Sequence, residues 1–401
     1  MNEVFICGAK RTAIGTYGGA FKNVPAVDLG VAAVTSALTH AGVDPAEVDE
    51  LGLGVILTAG QGMGPGRQVS IGAGIPAEKP AYAVNMLCGS GMKSIMQSAD
   101  RIRLGKADVV VAAGMENMSA APYLAPAATR FGTKMGHLTL QDHMILDGLT
   151  DVFNNYHMGV TAENIAGKYS ITREEQDRFA LTSQQRAGAA IKAGRFVDEI
   201  TPVPVKIKRD TVDVTTDEHP RPDTTLEQLT GLRPAFTKDG TVTAGNASGI
   251  NDGASAVVLA SEGAVKRLGL TPLARIVSDG QGGVDPAYMG LGPVPAIRSA
   301  LKTAAMTLSQ MELIELNEAF AAQSLGVIRD LAEEHDLTKG EILERCNVNG
   351  GGIALGHPVG ASGNRIVVTL LYEMARRNVR FGLASLCIGG GMGTAVVVER
   401  L

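Results

Sequence analysis

The feature that most restricts how this chain can fold is a pattern that occurs twice. Residues 36–57 open on Ser-Ala-Leu and close on an apolar run, and residues 299–320 open on Ser-Ala-Leu and close on Glu315-Leu-Asn317-Glu318-Ala-Phe320. A second block follows in each copy. In the first, Val84-Asn85 and a glycine turn lead into a helix, then Leu104-Gly-Lys-Ala, an apolar strand and Gly114-Met-Glu. In the second, Val348-Asn349 and glycines around Gly356-His357 precede a helix from Ala361 to Arg377, a strand from Phe381, and Cys387-Ile-Gly389-Gly-Gly391-Met-Gly393. Chance likeness between alanine-rich helices and glycine turns is the competing reading. Agreement of order and spacing over two blocks favours two α/β halves packed about a pseudo-twofold axis. Equivalent loops of such halves face one another, which would bring Cys88, His357 and Cys387 together from distant parts of the chain.

Taken in order, residues 3–8 read as a buried first strand with Cys7 a small core residue. A turn at Lys10-Arg11-Thr12-Ala-Ile-Gly15 leads to a helix from Ala26 to His40. Val48–Leu57 reads as a strand, and Thr58-Ala-Gly60-Gln-Gly as a loop that approaches backbone or ligand closely. Residues 105–114 form a near-continuous apolar strand of the kind buried on both faces. From Ala120 to Gly245 proline, methionine and charge dominate, which suggests an insertion with one clear helix at 173–193 and its most loop-like stretch at 216–230. Residues 243–260 read as a glycine-rich turn followed by helix or apolar strand, 274–281 as strand, and 290–305 as a turn then a helix. The division implied is 1–119 with 246–272 as the N-terminal half, 120–245 as an inserted loop domain, and 273–401 as the C-terminal half.

Composition removes several function classes. A formal charge of −5 leaves no global basic field for nucleic acid, and the absence of tryptophan argues against aromatic base-stacking platforms. Neither an uninterrupted apolar span nor a basic-then-apolar leader is present, so a membrane span and a secretory signal are not expected. Four scattered cysteines make neither a disulfide scaffold nor a zinc site, and a cytoplasmic location follows as the default.

The chemistry concentrates in the glycine-rich turns. Cys88 lies in Leu87-Cys-Gly-Ser-Gly just ahead of a helix, where unpaired N–H groups and the helix dipole favour a thiolate nucleophile. Its best candidate base is His357, in a turn too rich in glycine for ordinary core; the bland reading is a histidine that only satisfies backbone groups. His40 reads as a helix cap, His335 as part of a charged surface run, and His137, His143 and His219 as surface or loop residues. Cys387 stands in a glycine nest whose N–H groups can converge on an anion. With Cys88 it forms either a redox pair or an acyl carrier and proton carrier, the second giving a carbon–carbon bond-forming acyl transferase. Asn317 can hold a water or donate to a thioester oxygen, and Glu318 orients a histidine or satisfies loop N–H groups.

Cys88-Gly-Ser-Gly, Asn317-Glu-Ala-Phe, Asn349-Gly-Gly-Gly-Ile-Ala-Leu-Gly-His357-Pro-Val-Gly-Ala-Ser-Gly and Cys387-Ile-Gly-Gly-Gly-Met-Gly together strongly resemble the thiolases. The likeness runs essentially end to end, and four ordered motifs are far more specific than any one of them. It implies duplicated halves, each a mixed five-stranded sheet with helices. It further implies that Cys88 accepts an acyl group after losing its proton to His357, and that Cys387 moves the α-proton of the second acyl-CoA. One oxyanion hole would use His357 and a water on Asn317, the other the N–H groups of Cys88 and Gly389. Developing charge on two different oxygens needs two donor sets. The insertion becomes the coenzyme A pocket, with Arg221 and Ser248 toward the nucleotide and pantetheine. Leu149, His157, Met158, Phe236, Ala244, Met289 and Phe320 would line the pantetheine and acyl pockets, His157 as binder or as a group orienting the base.

The Tyr156-His-Met-Gly and Asp147-Gly-Leu stretches resemble the short-chain, biosynthetic branch, which makes and cleaves acetoacetyl-CoA from acetyl-CoA and CoA. A longer, more charged segment at 329–344 and small residues at Gln281-Gly-Gly depart from compact members, and bear on substrate range. Degradative 3-oxoacyl-CoA or 3-oxoadipyl-CoA thiolase is the rival enzyme, and an acyl-CoA- or lipid-binding homologue the non-enzymatic one. Neither a metal nor any cofactor beyond the CoA substrates is required. The resemblance also suggests a dimer, or a homotetramer built as a dimer of dimers through a loop near residues 120–140.

Overall fold

The computed structural model describes residues 2–401. Nine strands carry the architecture: β1 (Val4–Thr12), β2 (Glu50–Gly54), β3 (Ala81–Val84), β4 (Val109–Asn117), β5 (Asn251–Ser261), β6 (Ala274–Gly283), β7 (Leu313–Leu316), β8 (Phe381–Ile388) and β9 (Met392–Arg400). They lie in the order β7-β8-β9-β6-β1-β5-β4-β2-β3. Reading outward from the centre, β1 and β6 each pair antiparallel with β5 and β9; these pair antiparallel with β4 and β8, which pair parallel with β2 and β7. The sequence repeat is thus a repeat of topology. The halves meet where β1 pairs with β6 through Phe5↔Arg275 and Ile6↔Ala274, so two sheets become one.

The duplicated mixed sheets expected from the sequence are thus present and joined edge to edge. The first half has its fifth strand, β3; in the second, the matching position holds only a single-residue bridge between Ile314 and Cys346. Val348-Asn349 follows that bridge as Val84-Asn85 ends and follows β3, and the next residues turn into glycine loops rather than extending the strand.

Alternation along β4 sorts the layers. Val109, Val111 and Ala113 face a core that includes Leu29, Ala33 and Ala37 of the helix Ala26–Ala41. Val110 and Ala112 face the opposite core, built on Met92, Ile95 and Ala99 of the helix Ser90–Arg103 and Ile366, Val367 and Leu370 of the helix Val359–Arg377. These two helices, one from each half, share one face of the continuous sheet. Their closeness depends on small residues: a Cβ on Gly91 of the first helix would meet Gly360 O at 2.8 Å and Asn364 N at 2.9 Å of the second. The duplicated sequence therefore places the residue ahead of one helix beside the residue ahead of the other.

Several local expectations need correction. β1 continues to Thr12 instead of turning at Lys10, because Arg11 is taken into the interior by Glu199 (2.6 Å) and by both oxygens of Asp217 (2.7 and 2.9 Å). Removing one partner of such a buried set leaves an uncompensated charge worth roughly 3–5 kcal/mol. Those carboxylates come from the 120–245 excursion, whose Ile200–Thr201 also pairs in parallel with β1; its Ala187, Ala190 and Phe196 belong to the first core. The excursion is thus partly core. Residues 251–261 are strand, and Leu226–Thr230 is a short helix with a capping box from Thr225 and Gln228. The charged stretch 329–344 completes the helix Ala321–Glu334 and most of Lys339–Arg345, with Arg298 holding Glu334 at 2.6 Å. Among the described residues no helix is long and apolar enough to cross a membrane.

Candidate active site

Cys88 sits at the top of a tight turn. Leu87 before it adopts φ +48°, a left-handed backbone that costs a leucine on the order of 1 kcal/mol and is held by its surroundings. Asn85 Oδ1 accepts the Leu87 N–H at 3.0 Å, while the Ser90 hydroxyl donates to Leu87 O at 2.6 Å and accepts from Met86 N–H at 2.9 Å. The helix begins at Ser90, so Cys88 stands two residues outside it. The expected depression of its pKa does not survive this placement. Burial pushes the thiol up to about 11, against hydrogen bonds from the N–H groups of Gly389 and of Cys88 itself, and the charge of Glu116 adds to the rise. Desolvation outweighs the helix terminus, and the resting group is a thiol.

His357 is buried ahead of the helix Val359–Arg377. Its N–H donates to Asn251 Oδ1 at 2.9 Å, and Asn251 Nδ2 donates to Gly15 O at 3.0 Å. Gly356, at φ +101°, brings the chain so close that a Cβ there would lie 2.6 Å from the Asn251 side chain. The Ser362 hydroxyl donates to Pro358 O at 3.0 Å and lies 2.6 Å from His357 Nδ1, so Nδ1–H donates to Ser362 and Nε2 is left as the acceptor. Asn317 Nδ2 is 3.5 Å from that Nε2. Burial, with the Arg365 charge behind it, lowers the imidazole pKa to about 3. The resting pair is therefore neutral thiol and neutral imidazole, with a proton to be moved only when substrate arrives.

That depressed pKa has a consequence for stability. Between about 3 and 6.5 the unfolded chain protonates this histidine and the folded chain does not, so its contribution to stability falls as pH drops through that window. Denaturant unfolding followed from pH 6.5 to 4 should show a shallower loss of stability in His357→Asn than in the unaltered protein. An equal slope would mean the imidazole is protonated in the fold.

Cys387 is the penultimate residue of β8, fully buried, and its thiol is pushed well above the usual range by burial and then by the nearby Cys88 sulfur. Both thiols are free. Asn317 continues β7, its N–H donating to Ser385 O at 3.0 Å, and its buried Oδ1 has no protein partner. Glu318 serves neighbouring groups: it accepts from Ser183 (2.6 Å), Asn347 (2.8 Å) and the Ile353 N–H (3.3 Å), and it touches no histidine.

Cys88, His357 and Cys387 open on one cavity of about 320 Å³. Leu149, His157, Met158, Phe236, Ala244, Ser248, Met289 and Phe320 line it as well. Phe236 of the wall is stacked on His157 with centroids 4.7 Å apart and stands edge-on to Phe320 at 6.0 Å. His157 Nδ1 accepts the Gly159 N–H at 3.0 Å, which makes it the cap of the helix Met158–Tyr169. Ser248 is fixed by its N–H to Ala319 O at 2.9 Å, which ties the 246–248 segment to the Asn317-Glu-Ala-Phe loop. Arg221 is not brought into the cavity: it is exposed, beyond His219, whose ring lies against Gly249 of the wall. Sequence reasoning missed Met118, Ile250 and Val359 in the wall and Asn251 and Ser362 around the histidine. Ser362 was within reach, since it begins one turn after a histidine that leads into a helix.

A duplicated α/β core with two thiols and one imidazole converging from equivalent loops defines an enzyme of acyl transfer through a thioester. The family model for the thiolase N-terminal domain matches residues 4–263 and that for the thiolase C-terminal domain residues 270–400, and the chain belongs to the thiolases. It is 55% identical to the acetyl-CoA acetyltransferase of Pseudomonas aeruginosa and 54% identical to that of Cupriavidus necator, over the full length of both chains in each case. Among solved structures it is similar to acetyl-CoA acetyltransferase from Syntrophomonas wolfei, at TM-score 0.97 and 44% identity with both chains fully covered. It is also similar to human mitochondrial 3-ketoacyl-CoA thiolase, at TM-score 0.94 and 48% identity, covering all of this chain and 99% of the other.

Proposed function

We propose that this cavity carries out the reversible condensation of two acetyl-CoA molecules to acetoacetyl-CoA and CoA through an acetyl-Cys88 intermediate. The observation that carries the reading is the convergence of Cys88, His357 and Cys387 on one cavity, with the Gly389 N–H placed to oppose the rise in the Cys88 pKa. In the cleavage direction His357 Nε2 takes the Cys88 proton, and the sulfur attacks the 3-oxo carbon. The bond between C2 and C3 breaks, leaving an acetyl group on Cys88 and an enolate of acetyl-CoA. Cys387, a thiol at rest, donates its proton to that α-carbon. His357 passes the proton it holds to the Cys387 thiolate and then takes the thiol proton of CoA; the CoA sulfur attacks the acetyl-cysteine, and the departing Cys88 sulfur takes that proton back from His357. Condensation is each step reversed, with Cys387 as a strong base.

Two sets of donors serve two oxyanions. The N–H groups of Cys88 and Gly389 suit the tetrahedral intermediate on the nucleophile. His357, with a water held by the otherwise unpartnered Asn317 Oδ1, suits the enolate oxygen. Ser248 and the apolar wall would hold pantetheine, and Arg221 would meet CoA phosphates only from outside, as an exposed cation. The excursion 120–245, framed by residues 1–119 with 246–272 and by 273–401, is assigned as the CoA-binding unit. Exposed Phe131, Met135, Leu138 and Leu140 in one loop support a homotetramer formed as a dimer of dimers, and four free thiols accord with a cytoplasmic location.

The packing of Phe236 against His157 and Phe320 supports a short acyl chain, because forcing extra methylenes into a packed wall costs roughly 1–3 kcal/mol. The likeness to a 3-ketoacyl-CoA thiolase gives the longer-chain reading its one support. Thiolysis of a four-carbon 3-oxoacyl-CoA should outpace that of a sixteen-carbon one; the opposite order would sink the short-chain assignment.

A further inference from the structure

Glu116 has no part in the chemistry above, yet it lies at the hinge between its two main actors. It is fully buried near the end of β4. Its Oε2 accepts from the N–H of Ile56 and the N–H of Gly360, and its Oε1 from the N–H of Leu57, each at 3.1 Å. Ile56 and Leu57 belong to the loop after β2 in the first half. Gly360 is the second residue of the helix that follows His357-Pro358 in the second. One carboxylate thus bonds both halves of the molecule at the active-site end of the sheet. Ile56, Leu57 and Val359 form a single apolar cluster with Met118 and Met144, and Leu87, Cys88 and Leu149 pack against it. The fit is tight: a Cβ on Gly360 would stand 2.7 Å from Glu116 Oε2.

The chemistry of the group is as telling as its place. Three N–H donors converging on two oxygens require an acceptor without hydrogens, which an ionised carboxylate is and an amide is not. Isolating that carboxylate from water is unfavourable, and burial pushes its pKa up to about 7, opposed by the three backbone donors, while the Asp252 charge adds to the rise. An apolar residue would fill the same space without that desolvation, but it would leave three buried N–H groups unmet and the two loops unlinked.

We propose that Glu116 is a positioning residue for acyl transfer, holding the Ile56–Leu57 loop beneath Cys88 and the turn after His357 at a fixed separation. The role rests on the assignment of Cys88 and His357 as nucleophile and base. It acts through their geometry, so it should govern the rate of acetyl-Cys88 formation far more than the affinity for CoA. A displacement on the order of 1 Å costs about 100-fold in rate when reacting groups must be aligned.

Glu116→Gln and Glu116→Ala provide the test, with rapid-quench measurement of acetyl-Cys88 formation from acetoacetyl-CoA beside the dissociation constant for CoA. Gln can keep the Ile56 and Gly360 bonds through its carbonyl but must oppose the Leu57 N–H with its own NH2. The expected result is acylation slowed about 10- to 100-fold in Gln and further in Ala, with CoA affinity within about threefold of the unaltered protein. Acylation within twofold of the unaltered rate in Gln would overturn the role. So would a parallel loss of CoA binding, which would mark a residue needed only for the fold. Should Ala not fold, Gln decides alone. Mass measurement of the unaltered protein separates the two readings. If it never carries acetyl on Cys88, the nucleophile assignment falls and the Glu116 role with it. If it is acetylated and Gln is unimpaired, the Glu116 role alone falls.

Discussion

Cys88→Ser should bind CoA as tightly as the unaltered protein and form no detectable acetyl-enzyme, with turnover lower by roughly four to six orders of magnitude. The reason lies in the environment as much as in the sulfur. The cavity is apolar, and burial already holds the thiol up to about 11. A hydroxyl in the same place begins from a far higher pKa and meets a base that burial has lowered to about 3. Thiol to imidazole is a demanding proton transfer here; hydroxyl to imidazole is out of reach without further machinery. Full turnover by the serine variant would remove Cys88 from the role. Retained CoA binding, measured by calorimetry, distinguishes a lost nucleophile from a lost fold.

Cys387→Ala should divide the reaction in two. In the proposed mechanism acetyl transfer from acetyl-CoA to Cys88 relies on His357 and the Gly389 N–H, both untouched, so a burst of acetyl-enzyme should appear at close to the unaltered rate. Condensation needs a base at the α-carbon, and its loss should slow steady-state acetoacetyl-CoA formation by roughly two to four orders of magnitude. The substitution removes one sulfur from a fully buried site in the same apolar cluster as Met158 and Phe320, so a modest drop in stability is expected as well. Burst kinetics separate that drop from the chemical effect. A variant that loses the burst together with condensation would place Cys387 in the first half-reaction and contradict the division of labour.

Much of this site could be read before any coordinates. Cys88, His357 and Cys387 announce themselves because each is a reactive side chain inside a run of glycines, where backbone strain is tolerated only if the chain must approach something, whereas Asn317 stands out only through the Asn-Glu-Ala-Phe stretch that closes an apolar strand. The duplicated order of helix and strand then placed their loops opposite one another. Other residues left no such trace. Asn251 and Glu116 look in sequence like polar residues within strand-forming runs, and only the fold aims one at the His357 N–H and the other at three N–H groups from two halves. Arg11 misled in the opposite sense: a Lys-Arg-Thr run suggests a turn, and two carboxylates almost two hundred residues away or more turn it into strand interior.

What the sequence determined by itself is the set of local choices: which segments alternate every two residues, which recur every three to four, and where glycine permits a turn. These depend on neighbours along the chain, and a duplicated pattern repeats them. What only the tertiary structure decided is charge. Whether Cys88 rests as thiol or thiolate, and whether Glu116 or His357 holds a proton, depends on how much water remains around each group and on which distant N–H groups point at it. Burial at a site shared by two halves is a property of their packing, and desolvation there outweighs the helix terminus that sequence alone suggested would prevail.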